Sequence, residues 1–334
     1  MRAAMPPLYT LGGLFVLLIL LIIGSSNLGA LPLSFRTLWN SSFDDIAWQI
    51  WLNIRLPRVL LAILIGFALA TSGAVMQGLF RNPLADPGLL GISSGAALFV
   101  ALVIVMPFTF SITFTFYSHV IAAFIGGLLI SLLILSFSRT GQGRLSSLLL
   151  IGIAINALCG AAVGILSYFS NDQQLRQFSL WMMGSLSQVQ WPMLGLAAAF
   201  IIPTMVITLL QAHKLNLLQL GDEEAHYLGI NIQQTKSRFL LLSTLLVSTA
   251  VALSGIIGFI GLVIPHLIRM HLGADHRWLL PGAALGGACL LLSADTLART
   301  LVAPSEMPVG LITSLIGGPY FLWLILRQQE PLSG

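Results

Sequence analysis

Apolar runs of roughly 20 uncharged residues, each long enough to cross a bilayer as a helix, follow one another along the chain. Short intervals part them, where glycine, proline and the few charged residues collect. The pattern predicts ten spans, near residues 8–29, 57–80, 91–107, 115–137, 145–169, 190–211, 238–256, 258–272, 279–298 and 309–327, of which the eighth is short. They are read as helices, because a helix satisfies its own backbone hydrogen bonds in hydrocarbon and the short alternating segments of a lipid-exposed barrel are missing. The first run is too long for the apolar stretch of a signal peptide, and more spans follow it, so it counts as the first membrane helix.

Composition agrees. Of 334 residues 57% are hydrophobic and 8% charged, and the mean hydropathy is +0.95, which exceeds what a soluble core can hide. The expected fold is an all-α polytopic membrane protein, with residues 1–334 as a single transmembrane domain. An even number of spans puts both termini on one side. Ten positive side chains fall there (Arg2, Arg81, Arg139, Arg144, Lys214, Lys236, Arg238, Arg269, Arg277 and Arg327), against five on the other (Arg36, Arg55, Arg58, Arg176 and Arg299). Positive residues accumulate on the cytoplasmic side, so both termini are expected in the cytoplasm. The net charge of +4 reflects this bias, and no basic run points to a nucleic acid. Cys159 and Cys289 sit in apolar runs without metal-ligand spacing and read as small packing residues.

Against this background the segment from about 213 to 237 is unusually polar, and Asp222, Glu223 and Glu224 stand together in it. Asp222 is placed to cap a new helix, with Glu223 and Glu224 in its first turn, where the helix dipole favours negative charge. Ala225 and Leu228, three apart, are expected to share one face, and Gly229 offers a left-handed stop after the start at Gly221. The result is a stubby helix with an apolar contact face and a charged collar. It suits a socket on another protein, and equally a merely solvated loop.

Four stretches carry a resemblance that spans nearly the whole chain: "RLPRVLLAILIGFALATSGAVMQGLFRNPLADPGLLGISSGAAL" (55–98), "GDEEAHYLGI" (221–230), "SGIIGFIGLVIPHLIRMHLGADHR" (254–277) and "ADTLARTLVAPSEMPVGLITSLIGGPYFLWLI" (294–325). They resemble the FecCD family, the permease subunits of bacterial ABC importers for vitamin B12, ferric siderophores and haem. Within that family the overall likeness is greatest to haem permeases of Gram-negative bacteria. The resemblance implies a ten-helix type II importer subunit of the inner membrane, a homodimer with a second copy around a central pathway. It implies two cytoplasmic ATPase subunits, a periplasmic haem-binding protein, and haem as transported substrate with no cofactor held permanently. The Gly221–Gly229 helix becomes the segment that inserts into the ATPase. This chain has no GxxxxGK[ST] phosphate loop, so ATP belongs to the partner.

The resemblance also bears on single residues. Arg55 and Arg58 flank Leu56 and Pro57 at the start of the second span, where they read either as interfacial anchors or, with Arg299, as the arginines that meet carboxylates of the binding protein. Asp295 and Arg299 are spaced for an ion pair that would temper that role. Asn156, a polar residue within the fifth span, is a pathway or gate residue in one reading and an interhelical hydrogen bond in the other. Pro265 and His266 interrupt an apolar run. A helix-end or conformational role is favoured over ligation, because the family carries this Pro-His whatever its cargo.

After the fifth span, Tyr168, Arg176, Trp181, Met182 and Met183 lie in an amphipathic external segment. Arginine, flat aromatic surface and a transient Met or Tyr ligand suit a haem with two propionates, while an interfacial helix with aromatic residues is the plainer reading. A-x-S-G recurs at Ala70–Gly73 and Ala252–Gly255, each followed ten residues after the Gly by a proline, Pro83 and Pro265, which hints at an internal duplication. No catalytic motif such as HExxH or GxSxG supports an intramembrane enzyme. Ferric-siderophore or cobalamin permeases and an ion-coupled secondary transporter remain the alternatives.

Overall fold

The computed structural model describes residues 6–29, 38–39, 42–106, 112–140 and 145–328. Arg2, Arg36 and Arg144, three of the charges that orient the chain, lie outside the described residues. Ten apolar helices form the body: α1 Pro7–Asn27, α2 Leu56–Phe80, α3 Ile92–Val105, α4 Ile112–Thr140, α5 Leu145–Tyr168, α6 Trp191–Leu210, α7 Ile232–Ser254, α8 Ile260–Leu272, α9 His276–Thr300 and α10 Val309–Gln328. Seven are long and apolar enough to cross a membrane, with α3, α8 and α10 the shorter apolar helices. The hydropathy pattern thus places every one. Boundaries differ where local chemistry intervenes. The seventh helix starts at Ile232 rather than near 238, because the Asn231 side chain accepts a hydrogen bond from Gln234 N (3.0 Å) and caps the helix there. The second is led in by a helical turn, Ile46–Ile50, and a π-helical stretch, Trp51–Arg55.

α2 is the central post. Twenty of its 25 residues are buried, and α6, α7, α8 and α9 pack around it. Glycine makes the close approaches possible. A β-carbon on Gly73 would strike the Gly261 carbonyl of α8, and one on Gly66 would lie 2.5 Å from the Gly287 carbonyl of α9, so the backbones themselves are in contact. Broad apolar faces point outward, among them Leu129 and Leu133 on α4 and Leu150, Leu158 and Ile165 on α5.

Contacts set the directions. α1 and α9 run parallel: Cys289 Sγ donates to Leu14 O midway along, and Thr296 Oγ1 to Ser25 Oγ at one end (2.9 Å). α10 starts at that same end, where Gly310 N reaches Gly184 O at 3.4 Å. Pro7 and Gln328 therefore lie at the opposite end, together with residues 212–231. The two ends are called the Arg58 end and the Asp222 end.

At the Arg58 end the chain is non-helical between α7 and α8. Gly255 (φ 69°) and Phe259 (φ 68°) take left-handed conformations, and Ser185 N donates to Ser254 O (2.7 Å). Irregular backbone at membrane depth is tolerated where protein covers it or where it lines a cavity, and this segment does both. It also separates the two A-x-S-G sequences in local structure. Gly73 lies mid-helix in α2 whereas Gly255 ends α7, and Pro83 sits in a turn whereas Pro265 is inside α8, so the two A-x-S-G sequences have different conformations.

Candidate functional site

At the Asp222 end two short helices, Ala212–Leu220 and Asp222–Tyr227, meet at Gly221, whose φ of 143° and ψ of 157° suit glycine. Asp222 is not the cap. Gly221 holds that position without a side-chain bond, and the Asp222 carboxylate is drawn instead to two cations, Arg81 Nη2 at 2.8 Å and Lys236 Nζ at 2.6 Å. Arg81 occupies the left-handed cap of α2 and also donates to Leu218 O through Nε (3.0 Å) and Nη2 (2.6 Å). One carboxylate thus ties the short helix to the end of α2 and the start of α7. Glu223 and Glu224 are exposed in the first turn, and Gly229 (φ 82°) ends the segment.

The contact face is not the one expected. Ala225 is fully buried, while Tyr227 is 87% and Leu228 57% exposed. The helix ends at Tyr227 and Leu228 has already left it, so the three-residue spacing no longer puts positions 225 and 228 on one side. Beside this segment, Asn216 Nδ2 donates to Asp275 (2.6 Å), and Arg277 hydrogen bonds hold the Asp275 carboxyl well below the usual carboxylate range.

At the other end Arg55, Arg58 and Arg299 converge, each only 5% exposed. Arg55 donates to Ser26 O (2.9 Å) and Asn27 O (3.0 Å) at the end of α1. Arg58 grips Asp295 through Nε (3.0 and 3.1 Å) and Nη2 (2.9 Å), and Glu306 through Nη1 (2.8 and 2.9 Å). Arg299 donates to Ser25 O and Oγ and stands 3.8 Å from Asp295. The expected Asp295–Arg299 pair is therefore the lesser contact, because Arg58 takes Asp295 with better geometry. None of the three offers an open guanidinium fork. Among the described residues these three cations face two carboxylates, and Glu306 is the partner nearest the surface, its side chain 43% exposed.

Near this end the amphipathic helix Asp172–Met182 begins with a capping box between Asn171 and Gln174, and Gln174 Nε2 anchors it to Ile104 O (2.9 Å). Phe178 and Trp181 stack with centroids 6.5 Å apart. Below them a cleft of about 460 Å³ is lined by Phe178, Met182, Met183, Ile256, Gly310 and Leu311, among others. Met182 and Met183 thus share a concave surface. Arg176 is exposed on the same helix, and Tyr168, 86% exposed, stands at the end of α5 against Phe169. Within the bundle, Asn156 turns its Oδ1 inward, buried and without a hydrogen-bond partner, close to where a β-carbon on Gly91 would lie. Pro265 and His266 are buried in α8, with His266 Nδ1 unpaired, and among the described residues no three His, Cys, Asp or Glu side chains group as metal ligands.

The chain as a whole is similar to known transport proteins. The model of the FecCD transport family matches residues 17–327. The chain belongs to the FecCD transport family. Among its relatives, the hemin transport system permease protein HmuU of Yersinia pestis is 70% identical over the full length of both chains. The vitamin B12 import system permease protein BtuC of Vibrio cholerae is 41% identical, over 96% of this chain and 94% of that one. A metal-chelate type ABC transporter solved in an inward-facing conformation superposes with a TM-score of 0.85 at 35% identity, covering 95% of this chain and 98% of that one. The ten-helix permease fold expected of a FecCD member is the fold observed.

Sequence reasoning missed Arg81, Lys236, Tyr227 and Glu306 as site residues. Arg81 and Lys236 entered only as orienting charges. A usable signal existed for Glu306, an acid within eight residues of Arg299 on the side chosen for the binding protein.

Proposed function

We propose that the chain is the membrane-spanning subunit of an ATP-driven haem importer, working as a homodimer with two ATPase subunits at the Asp222 end and a periplasmic haem-binding protein at the Arg58 end. The observation that carries this is the 70% identity, over the full length of both chains, to a hemin permease, against 41% to a vitamin B12 permease. In this reading the Asp222 end is cytoplasmic, as the excess of positive residues requires, and so are both termini in the bacterial inner membrane.

In this reading the Asp222 end also couples the chain to the ATPase. Tyr227 and Leu228 offer the ATPase an apolar anchor, ringed by Glu223 and Glu224. When the ATPase subunits close on ATP, the force reaches Asp222, and the bonds to Arg81 and Lys236 pass it to α2 and α7. At the periplasmic end, a carboxylate of the binding protein takes the place of Glu306 on Arg58, drawn by the positive charge of Arg55, Arg58 and Arg299. Haem enters over the cleft of Met182 and Met183, with Arg176 toward a propionate and Tyr168 at the rim. Asn156, whose buried oxygen lacks a partner, and Pro265–His266 belong to helices that shift as the pathway opens.

The test is reconstitution of the chain with its ATPase and binding protein in liposomes, comparing ATP-driven accumulation of haem, a ferric siderophore and cobalamin. Haem is expected to accumulate. Accumulation of another cargo without haem would overturn the substrate, and uptake that survives loss of the ATPase but follows an ion gradient would overturn the class. Arg176→Ala is expected to slow haem uptake more than basal ATP hydrolysis, and equal loss of both would make Arg176 structural.

A further inference from the structure

A cleft of about 680 Å³ lies between α4 and α7 at the Asp222 end, beside Lys236 and the segment proposed to meet the ATPase. Its walls are graded. α4 and α7 run in opposite directions, with Ser131 against Thr244, so Gln233 and Gln234 stand at the rim, Arg238 lies about one turn deeper, level with Ser136 and Leu135, and Leu241 and Leu132 follow. The spread from Gln234 to Leu241 is seven residues, or ~10 Å along the helix. Arg238 is exposed and makes no ion pair or hydrogen bond among the described residues, in contrast to Arg55, Arg58, Arg81 and Arg299. Among the described residues no acid lines the cleft.

We propose that this cleft binds an anionic phospholipid, with Arg238 on the phosphate, the rim glutamines on the head group, and an acyl chain along Leu132, Leu135 and Leu241. A cationic pocket between membrane helices at the interfacial level is the chemistry that selects such head groups. The apolar depth below the cation separates a lipid from a soluble anion, which has no use for that wall. A second copy is a poorer occupant, because an unpaired cation at the rim would gain no acid from the same surface. The proposal leans on the functional reading only for the leaflet, which is the cytoplasmic one.

The experiment is native mass spectrometry of the full chain with its ATPase in detergent, titrated with dioleoyl-phosphatidylglycerol or dioleoyl-phosphatidylcholine. Wild type is expected to retain phosphatidylglycerol about fivefold better. Arg238→Gln is expected to bring that ratio near one, while Arg238→Lys keeps most of it. Leu135→Trp, which fills the cleft, is expected to lower retention of both lipids without moving the melting temperature, and it stands as the test if Arg238→Gln does not fold. Equal retention of the two lipids by wild type, an undiminished preference in Arg238→Gln, or displacement of phosphatidylglycerol by excess inorganic phosphate would each overturn the proposal. So would disulfide linkage between copies through Ser136→Cys, which would seat a second copy there. Haem uptake does not enter the readout, so failure here leaves the substrate assignment untouched.

Discussion

Arg58 and Arg81 stand at the two ends of one helix, α2, and each meets a carboxylate from a distant part of the sequence. Arg58 and its partner Asp295 are sealed from solvent, whereas the side chains of Arg81 and Asp222 are 43% and 48% exposed. The distances are nearly alike, 2.9 Å and 2.8 Å, but the energetics are not. Removing one partner from a buried pair strands a charge in a poorly solvated place. Removing one from a surface pair lets water replace it. The Arg58 end is therefore built to hold its shape, and the Asp222 end to fix position at little cost when it is broken.

The comparison can be broken most sharply at Asp295. Asp295→Ala is expected to destabilise the chain by about 3–5 kcal/mol, read as thermal unfolding in detergent, because Arg58 and Arg299 lose their shared carboxylate. An unchanged melting temperature would mean that water already reaches the cluster. At the other end Leu228→Glu is expected to cut ATPase association and haem uptake at least tenfold, about 1.4 kcal/mol or more, with the melting temperature unmoved. Normal association in a well-folded variant would exclude Leu228 from the anchor. Asp222→Asn is expected to cost less than about 1 kcal/mol of stability, yet to lower haem transported per ATP hydrolysed in proteoliposomes. A large loss of stability with intact coupling would invert the contrast. The smallest effect is expected from Glu306→Gln, which leaves Arg58 Nη1 open to a partner. The hold on the binding protein should tighten by about 0.5–1 kcal/mol, or two- to fivefold, and weaken with added salt in wild type and variant alike. Weaker binding would show that Glu306 itself touches the partner.

How far the sequence could be read follows the same division. Hydropathy located all ten helices, since a bilayer-spanning helix is a local requirement met by consecutive residues. Position together with the family resemblance marked Asp222 and Arg58 as candidates. What escaped was pairing. Arg58 meets Asp295 across 237 positions and Asp222 meets Arg81 across 141, and no periodicity encodes such distances. The polarity of Arg55, Arg58 and Arg299 suggested open surface, but the bundle wraps them with carbonyls of α1 and acids of α9 and its following loop. Ala225 and Leu228 failed for a local reason: a six-residue helix is too short for a three-residue spacing to hold across its end.

α2 differs from α6, α8, α9 and α10 in what it lacks, a feature it shares with α7, the other helix tied to Asp222. Pro203 in α6, Pro265 in α8, Pro281 in α9 and Pro319 in α10 each interrupt a helix from within, while the only proline of α2 is Pro57 at its start. Proline inside a helix removes a hydrogen bond and invites a bend. A 25-residue helix without one is a rod of ~37 Å. On the proposed coupling, such a rod would carry a displacement applied at Arg81 to Arg58 as translation or rotation of a body of constant length.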